Sequence, residues 1–153
     1  MEKRPGWFGY PRRKSDGDGQ NEKRFAVIGD TQFLPGYCVL LAAPRAAALN
    51  QLSYKERQDF LMDMSLIGEA IEKVCHPRRV NYSILGNKDP FLHAHIFPRY
   101  EWEPEELKPY PVWRYPDEKW IDKRVHYREE KHGDLRKKIT EALVERMNQA
   151  DHG

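Results

Sequence analysis

Apolar residues recur at two different spacings along this chain, and the changes of spacing mark out its elements. Phe25-Ala26-Val27-Ile28 is a short apolar run that ends on Gly29-Asp30, and Cys38-Val39-Leu40-Leu41-Ala42-Ala43 is a second, with Phe33-Leu34-Pro35-Gly36-Tyr37 between them. Runs of this length bounded by Gly and Pro predict two strands joined through a Pro-Gly turn, with Asp30 at the rim of the pair. From Ser53 the spacing lengthens. Phe60, Met64, Ile67, Ile71 and Val74 follow at steps of four and three, which is one apolar stripe on a helix that Pro77 ends. Ser53-Tyr54-Lys55-Glu56 fits a capping box at its start, in which hydroxyl and carboxylate each satisfy a free backbone amide. His76, at the far end, is expected to cap the helix, where a cation meets the dipole favourably. The methionines of this stretch read as core filler.

Val80-Asn81-Tyr82-Ser83-Ile84-Leu85 then alternates with a period of two, Gly86-Asn87-Lys88-Asp89-Pro90 turns the chain, and Phe91 to Tyr100 alternates again. In a strand, Phe91, His93, His95 and Phe97 share one face. Beyond Arg99 the chain becomes rich in Pro, Trp and Tyr, and three of its four Trp residues lie between Trp102 and Trp120. That segment is too proline-rich for regular structure and is expected to pack across the domain surface. A last helix is expected from about Asp134, with Leu135, Ile139, Ala142, Leu143 and Met147 on its apolar stripe and Arg136, Lys137 and Lys138 on a solvated face. His126, His132 and His152 carry no partner pattern and read as surface residues.

This order of elements predicts an α+β domain over residues 25–150, an antiparallel sheet flanked by the long amphipathic helix. A chain of 153 residues has room for one such core and little more. Residues 1–24 are mostly Gly, Pro and charged types and read as a flexible tail. Its Arg12-Arg13-Lys14 cluster could touch nucleic acid, but such clusters are usually solvated, and nucleic acid is not an expected partner. The formal net charge of +2 with charged residues at 33% argues for no particular partner. Cys38 and Cys75 match no zinc spacing, and no apolar run reaches the roughly 18 residues of a membrane span. The start of the chain lacks the apolar core of a signal peptide, so the cytoplasm is the expected compartment.

Two imidazoles on one strand face, preceded by a Gly-Asn-Lys turn, suggest an anion site. The turn can aim backbone N–H groups at a phosphate, Asn87 can donate through its amide, and Lys88 adds positive charge. A neutral imidazole there can attack phosphorus and form a covalent intermediate, with the second orienting it or donating to a phosphate oxygen. A metal site is a weaker reading, since two ligands are too few and no third stands at a usual spacing. The plainest reading is a strand whose histidines are satisfied by backbone or water.

The stretch from Phe25 to Tyr100 resembles the histidine triad superfamily of nucleotide hydrolases and transferases. The resemblance rests on Asp30 before Pro35-Gly36-Tyr37 and an apolar strand, the amphipathic helix, Asn81, Gly86-Asn87, and His93-Ala94-His95-Ile96-Phe97-Pro98-Arg99 in that order. Its closest likeness is to bacterial proteins described as diadenosine tetraphosphate hydrolases. The signature has three alternating histidines, and with Pro98-Arg99 aligned His95 takes the third place, His93 the central one, and Phe91 replaces the first.

The resemblance implies that His93 is the nucleophile at the α-phosphate of a dinucleoside polyphosphate or related conjugate, that His95 contacts the phosphate, and that water releases a nucleoside monophosphate. It further implies Asp30 on ribose hydroxyls, Ile28 at the base pocket, and Asn81, Gly86, Asn87 and Lys88 around the nucleotide, the phosphate contact of Lys88 being inferred from its charge. No cofactor is required, although a divalent metal arriving with the substrate is compatible. A homodimer is expected from the resemblance alone. Phe91 bears on the leaving group, because a phenyl ring neither donates a proton nor hydrogen-bonds an oxygen. A transferase of the same superfamily and a nucleotide-binding protein without turnover are the alternatives.

Overall fold

The computed structural model describes residues 7–11, 23–43 and 45–152. The basic cluster Arg12-Arg13-Lys14, the Asp16 to Gln20 run and the side chain of His152 lie outside them. Strands β1 (Trp7–Pro11), β2 (Lys23–Ile28), β3 (Cys38–Leu41), β4 (Arg79–Ser83) and β5 (His93–Arg99) form one five-stranded sheet in the order β1-β2-β3-β5-β4. All four pairings are antiparallel. Helix α1 (Tyr54–Cys75) lies in the connection between β3 and β4, and α3 (Glu129–His152) lies alongside it.

The expected α+β architecture is therefore present, with corrections at its edges. Trp7 to Pro11, read as part of a tail, forms an edge strand opposite Val27 to Lys23. Pairing supplies from outside the segment what its own composition lacks, hydrogen-bond partners for an extended backbone. The strand expected to reach Leu85 ends at Ser83, and the one expected to reach Ala43 ends at Leu41.

Ser53 caps α1 as its sequence requires: the Glu56 amide donates to Ser53 Oγ at 3.2 Å and the Ser53 amide to Glu56 Oε1 at 2.9 Å. At the other end His76 caps through its backbone. It adopts a left-handed φ of 51° and its N–H donates to the Glu72 carbonyl at 3.1 Å. Helix α3 begins five residues before the expected Asp134. Glu129 and Glu130 occupy its first turn, where negative charge is favourable, and the Arg128 amide donates to His132 Nδ1 at 2.9 Å. His132 is accordingly buried and stacked on Tyr127, not a surface residue. His126 is half-buried, its Nε2 3.3 Å from the Trp120 carbonyl.

The sheet has two unlike faces. One is closed by α1 and α3, where Ile67, Ile71, Ile139 and Leu143 meet Ala26, Cys38, Leu40, Ala94 and Ile96. Each large aliphatic buried there contributes about 1.5–3 kcal/mol of transfer free energy. The other face is covered at one end by the Pro/Trp-rich segment, whose Val112 and Tyr115 pack with Leu34, Tyr37, Phe97 and Tyr100. This segment consists of turns, the helix α2 (Asp117–Ile121) and short 3-10 turns.

One buried cation fastens the segment to β5. Arg99 donates to Glu103 Oε1 from Nε at 3.1 Å and from Nη2 at 2.8 Å, and from Nη1 to Asn81 Oδ1 at 3.0 Å and to the Tyr110 carbonyl at 2.7 Å. Burial pushes the Glu103 carboxyl up, and hydrogen bonds from Arg99, Tyr115 and the Tyr100 amide outweigh it and hold the group ionised, below the usual carboxylate range. A buried ion pair this fully hydrogen-bonded is tolerated because no lone pair or proton is left unmet.

Candidate active site

Directly opposed residues of an antiparallel sheet share a face, so the register defines the site. Ser83, His95, Val39 and Val27 form one row across the sheet, and His93 and Leu41 belong to the next. This is the face away from α1 and α3. Phe91, His93, His95 and Phe97 follow one another along it, with ring centroids 4.7, 4.9 and 6.0 Å apart in turn.

Each imidazole has one nitrogen assigned by its partner. His93 Nδ1 is 2.8 Å from the Phe91 carbonyl oxygen, which can only accept. The Nδ1 of neutral His93 therefore carries the proton and Nε2 keeps a lone pair. His95 Nδ1 is 2.7 Å from the Tyr37 hydroxyl. Burial, with help from the Asp30 charge, raises the Tyr37 pKa, so the phenol stays protonated; its hydroxyl could donate to Nδ1 or accept from it, and among the described residues only donation gives the hydroxyl's own proton a partner. Neutral His95 then bears its proton on Nε2. Burial first, and neighbouring His93 second, lower the His95 pKa to about 4 against a small upward contribution from Asp89, so the ring is neutral at physiological pH. The pair thus presents one nucleophilic nitrogen and one N–H donor.

Tyr37 itself is set by backbone geometry. Its ring stacks on Phe97 at 4.0 Å between centroids and 11° between planes, and it lies over Gly29, where a Cβ would come within 2.1 Å of Tyr37 Cδ2. Only glycine admits that approach. Gln32, buried, ties the loop together: its Nε2 donates to the Gly29 and Tyr37 carbonyls at 3.0 and 3.1 Å, and its Oε1 accepts from the Gly36 amide at 2.9 Å. Gly36 has a φ of 102°, which the turn requires. A second aromatic, Trp113, meets His95 edge-on at 5.3 Å and stacks on Trp120 at 5.3 Å while remaining 43% exposed.

The remaining expected site residues are spread around this pair. Asp30 is exposed beside Tyr37, its carbonyl accepting from the Tyr127 amide at 2.8 Å. Gly86, at a φ of 81°, faces the Asp89 and Phe91 carbonyls, so its turn abuts the backbone that holds His93; Asn87 and Lys88 are exposed on that turn. Asn81 faces the same side as Phe97 with its carbonyl oxygen committed to Arg99. Ile28 is a correction. It pairs with Cys38 on the opposite face and is 2% exposed in the helix-side core, so it lines no pocket beside the histidines. Val27, one residue earlier, is on the histidine face. Tyr37, Gly29, Gln32 and Trp113 were not expected. Tyr37 and Val39 alternate on one face in the sequence, but only the β3–β5 pairing makes that the face of His95. No group of three or more metal-ligating side chains occurs among the described residues.

Solved structures share this fold. A histidine triad protein from Marinobacter aquaeolei VT8 superposes with a TM-score of 0.65 at 23% identity, over 80% of this chain and 83% of that one. The chain has the histidine triad fold. A histidine triad protein from Bradyrhizobium japonicum matches over 91% of this chain and 99% of its own, with a TM-score of 0.65 and 19% identity. A hypothetical histidine triad nucleotide-binding protein from Sulfolobus tokodaii matches with a TM-score of 0.60 and 16% identity over 83% and 82%. No protein-family model and no curated protein sequence matches the chain. Within the histidine triad fold, this chain carries Phe91 two residues before His93, and its backbone carbonyl orients His93.

Proposed function

We propose that the protein is a nucleotide hydrolase that cleaves at an α-phosphate through a nucleotidyl-histidine intermediate. The observation that carries this reading is the pair of ring contacts, His93 Nδ1 to the Phe91 carbonyl at 2.8 Å and His95 Nδ1 to the Tyr37 hydroxyl at 2.7 Å, read as leaving a lone pair on His93 Nε2 beside an N–H on His95 Nε2. His93 Nε2 attacks the α-phosphorus; a P–N bond forms, and the bond to the leaving oxygen breaks with its electron pair departing on that oxygen. His95 donates to the phosphate as charge builds on it. Water then attacks the same phosphorus, the P–N bond breaks, and a nucleoside monophosphate and a proton are released.

Asp30 is read as a ribose contact, with Gly86, Asn87 and Lys88 beside the phosphate and Asn81 behind Arg99. Nucleotide binding in the Sulfolobus tokodaii protein's description supports the ligand class. The reaction needs no resident metal, and a divalent ion bound to the substrate phosphates is compatible with it. A homodimer in the cytoplasm is the proposed setting; no helix among the described residues is long and apolar enough to cross a membrane. Nucleotide binding without turnover is the second reading, and Phe91 favours it, since it removes a donor. Incubation with diadenosine tetraphosphate separates the two: release of nucleoside monophosphate that His93→Ala abolishes supports hydrolysis, while binding without product supports the second reading. A transferase would consume nucleotide only when an acceptor such as phosphate or a sugar phosphate is added.

A further inference from the structure

The row of rings on the histidine face ends in a cation. The guanidinium of Arg45 lies over the Phe91 ring with Cζ 5.3 Å from its centre, and Phe91 in turn meets the His93 ring at 4.7 Å. The backbone sets Arg45 there. The β3–β5 ladder ends on the pair Leu41 and His93, and beyond it the Ala42 amide donates to the Leu92 carbonyl at 3.2 Å while the Leu92 amide donates to the Ala46 carbonyl at 2.7 Å. The chain leaving β3 is thereby tied on both sides of Arg45 to the residue that separates Phe91 from His93.

Arg45 is exposed, and among the described residues no carboxylate pairs with it. The other end of the row is bounded by Tyr37 and Trp113, which carry no charge. Among the described residues Arg45 is thus the one cation seated against these rings. A guanidinium over a ring face keeps the N–H groups at its rim available to a further acceptor. It stands one ring removed from the nucleophile, and that separation has a chemical meaning. In an in-line displacement phosphorus lies about 3–3.5 Å from the attacking nitrogen and the leaving oxygen lies beyond it on the far side. A group that meets the leaving oxygen therefore stands off from the imidazole.

We propose that Arg45, seated on Phe91, is the group that meets the leaving oxygen and neutralises its charge; this rests on the roles given to His93 and His95 above. As His93 Nε2 forms its bond to phosphorus, the bond from phosphorus to the leaving oxygen breaks and the electron pair stays on that oxygen. The guanidinium donates a hydrogen bond to it and keeps its proton, since a guanidinium does not act as an acid in proteins. Phe91 then has a second use besides the carbonyl that orients His93: its ring is the surface on which the cation rests. Charge replaces proton transfer at this step, so the benefit grows with the basicity of the leaving oxygen.

The test compares the phenyl and 4-nitrophenyl esters of adenosine 5′-monophosphate in the wild type, Arg45→Ala and Arg45→Lys. Phenolate is the more basic leaving group, and kcat/KM reports the first displacement. Arg45→Ala is expected to lower kcat/KM about tenfold or more for the phenyl ester and to leave the nitrophenyl ester within about threefold, with partial recovery in Arg45→Lys and on adding guanidinium chloride to Arg45→Ala. Calorimetry with adenosine and vanadate, which together imitate phosphorus under attack, gives a readout without turnover. Arg45→Ala should weaken that complex about tenfold and leave adenosine alone unaffected. Equal losses on the two esters, or a vanadate complex that Arg45→Ala leaves unchanged, overturn the assignment. If the wild type cleaves neither ester nor diadenosine tetraphosphate, the hydrolase reading fails, and the vanadate comparison still decides whether Arg45 reaches the in-line position.

Discussion

The Phe91 carbonyl oxygen lies 2.8 Å from His93 Nδ1. A residue whose side chain neither donates nor accepts a hydrogen bond thus acts on the next histidine through its main chain. Replacing Phe91 alters a side chain without touching that bond. Phe91→His is accordingly expected to leave turnover of diadenosine tetraphosphate within a few-fold and to raise turnover of adenosine 5′-phosphoramidate tenfold or more, about the low end of what a positioned acid contributes. Steady-state kinetics on the two substrates checks it, and an equal gain on both contradicts it.

Tyr37 fixes the tautomer of His95. Tyr37→Phe keeps the ring that stacks on Phe97 and removes the hydroxyl 2.7 Å from His95 Nδ1. Turnover should fall about tenfold with the fold intact, and nitrogen NMR of His95 should change from a single Nε2–H form to a mixture. Retention of one tautomer would show that something other than Tyr37 assigns it.

Gly29→Ala tests the same residue from below. A methyl there would press into the Tyr37 ring, which is itself packed on Phe97 and cannot swing aside freely. Overpacking of this kind costs about 1–3 kcal/mol, read as a lower denaturation midpoint, and activity should drop further than in a variant destabilised equally elsewhere.

Much of this was legible in the chain, and the limits have physical causes. The Ser53 capping box, the stripe of α1 and the shared face of His93 and His95 are local patterns whose period survives folding. The strand at Trp7 to Pro11 is not local: its hydrogen bonds come from Lys23 to Val27, and nothing in its own composition announces them. The misplacement of Ile28 has the same origin, because an apolar run does not say which of its alternating residues faces which side. Tyr37 belongs to His95 only once β3 and β5 are paired, a relation across 58 positions of sequence. His132 was hidden because a ring nitrogen capping a backbone amide at a helix start has no signature of its own.

Glu103 is expected to matter for stability although it touches no substrate. Glu103→Ala leaves the buried Arg99 guanidinium without its carboxylate and should cost about 3–5 kcal/mol, measured by chemical denaturation.

Acid should destabilise the protein in a defined window. The folded pKa of His95 is about 4, below the ordinary value of 6.5, and that of His132 is also lowered by burial. Below pH 6.5 the unfolded chain takes up protons that the folded chain refuses, so stability declines as pH falls from 6.5 towards 4 and is flat with respect to His95 above that range. Denaturation midpoints across this interval check the slope, which His95→Phe should reduce.

The central claim is that His93 Nε2 becomes covalently nucleotidylated. Rapid acid quenching of the enzyme with labelled diadenosine tetraphosphate, followed by intact and peptide mass spectrometry, tests it directly. The expected result is a mass increase of one adenylyl group on the peptide containing His93, transient in the wild type and absent in His93→Asn. Turnover of the nucleotide with no adduct at His93, or an adduct that persists in His93→Asn, would contradict the mechanism.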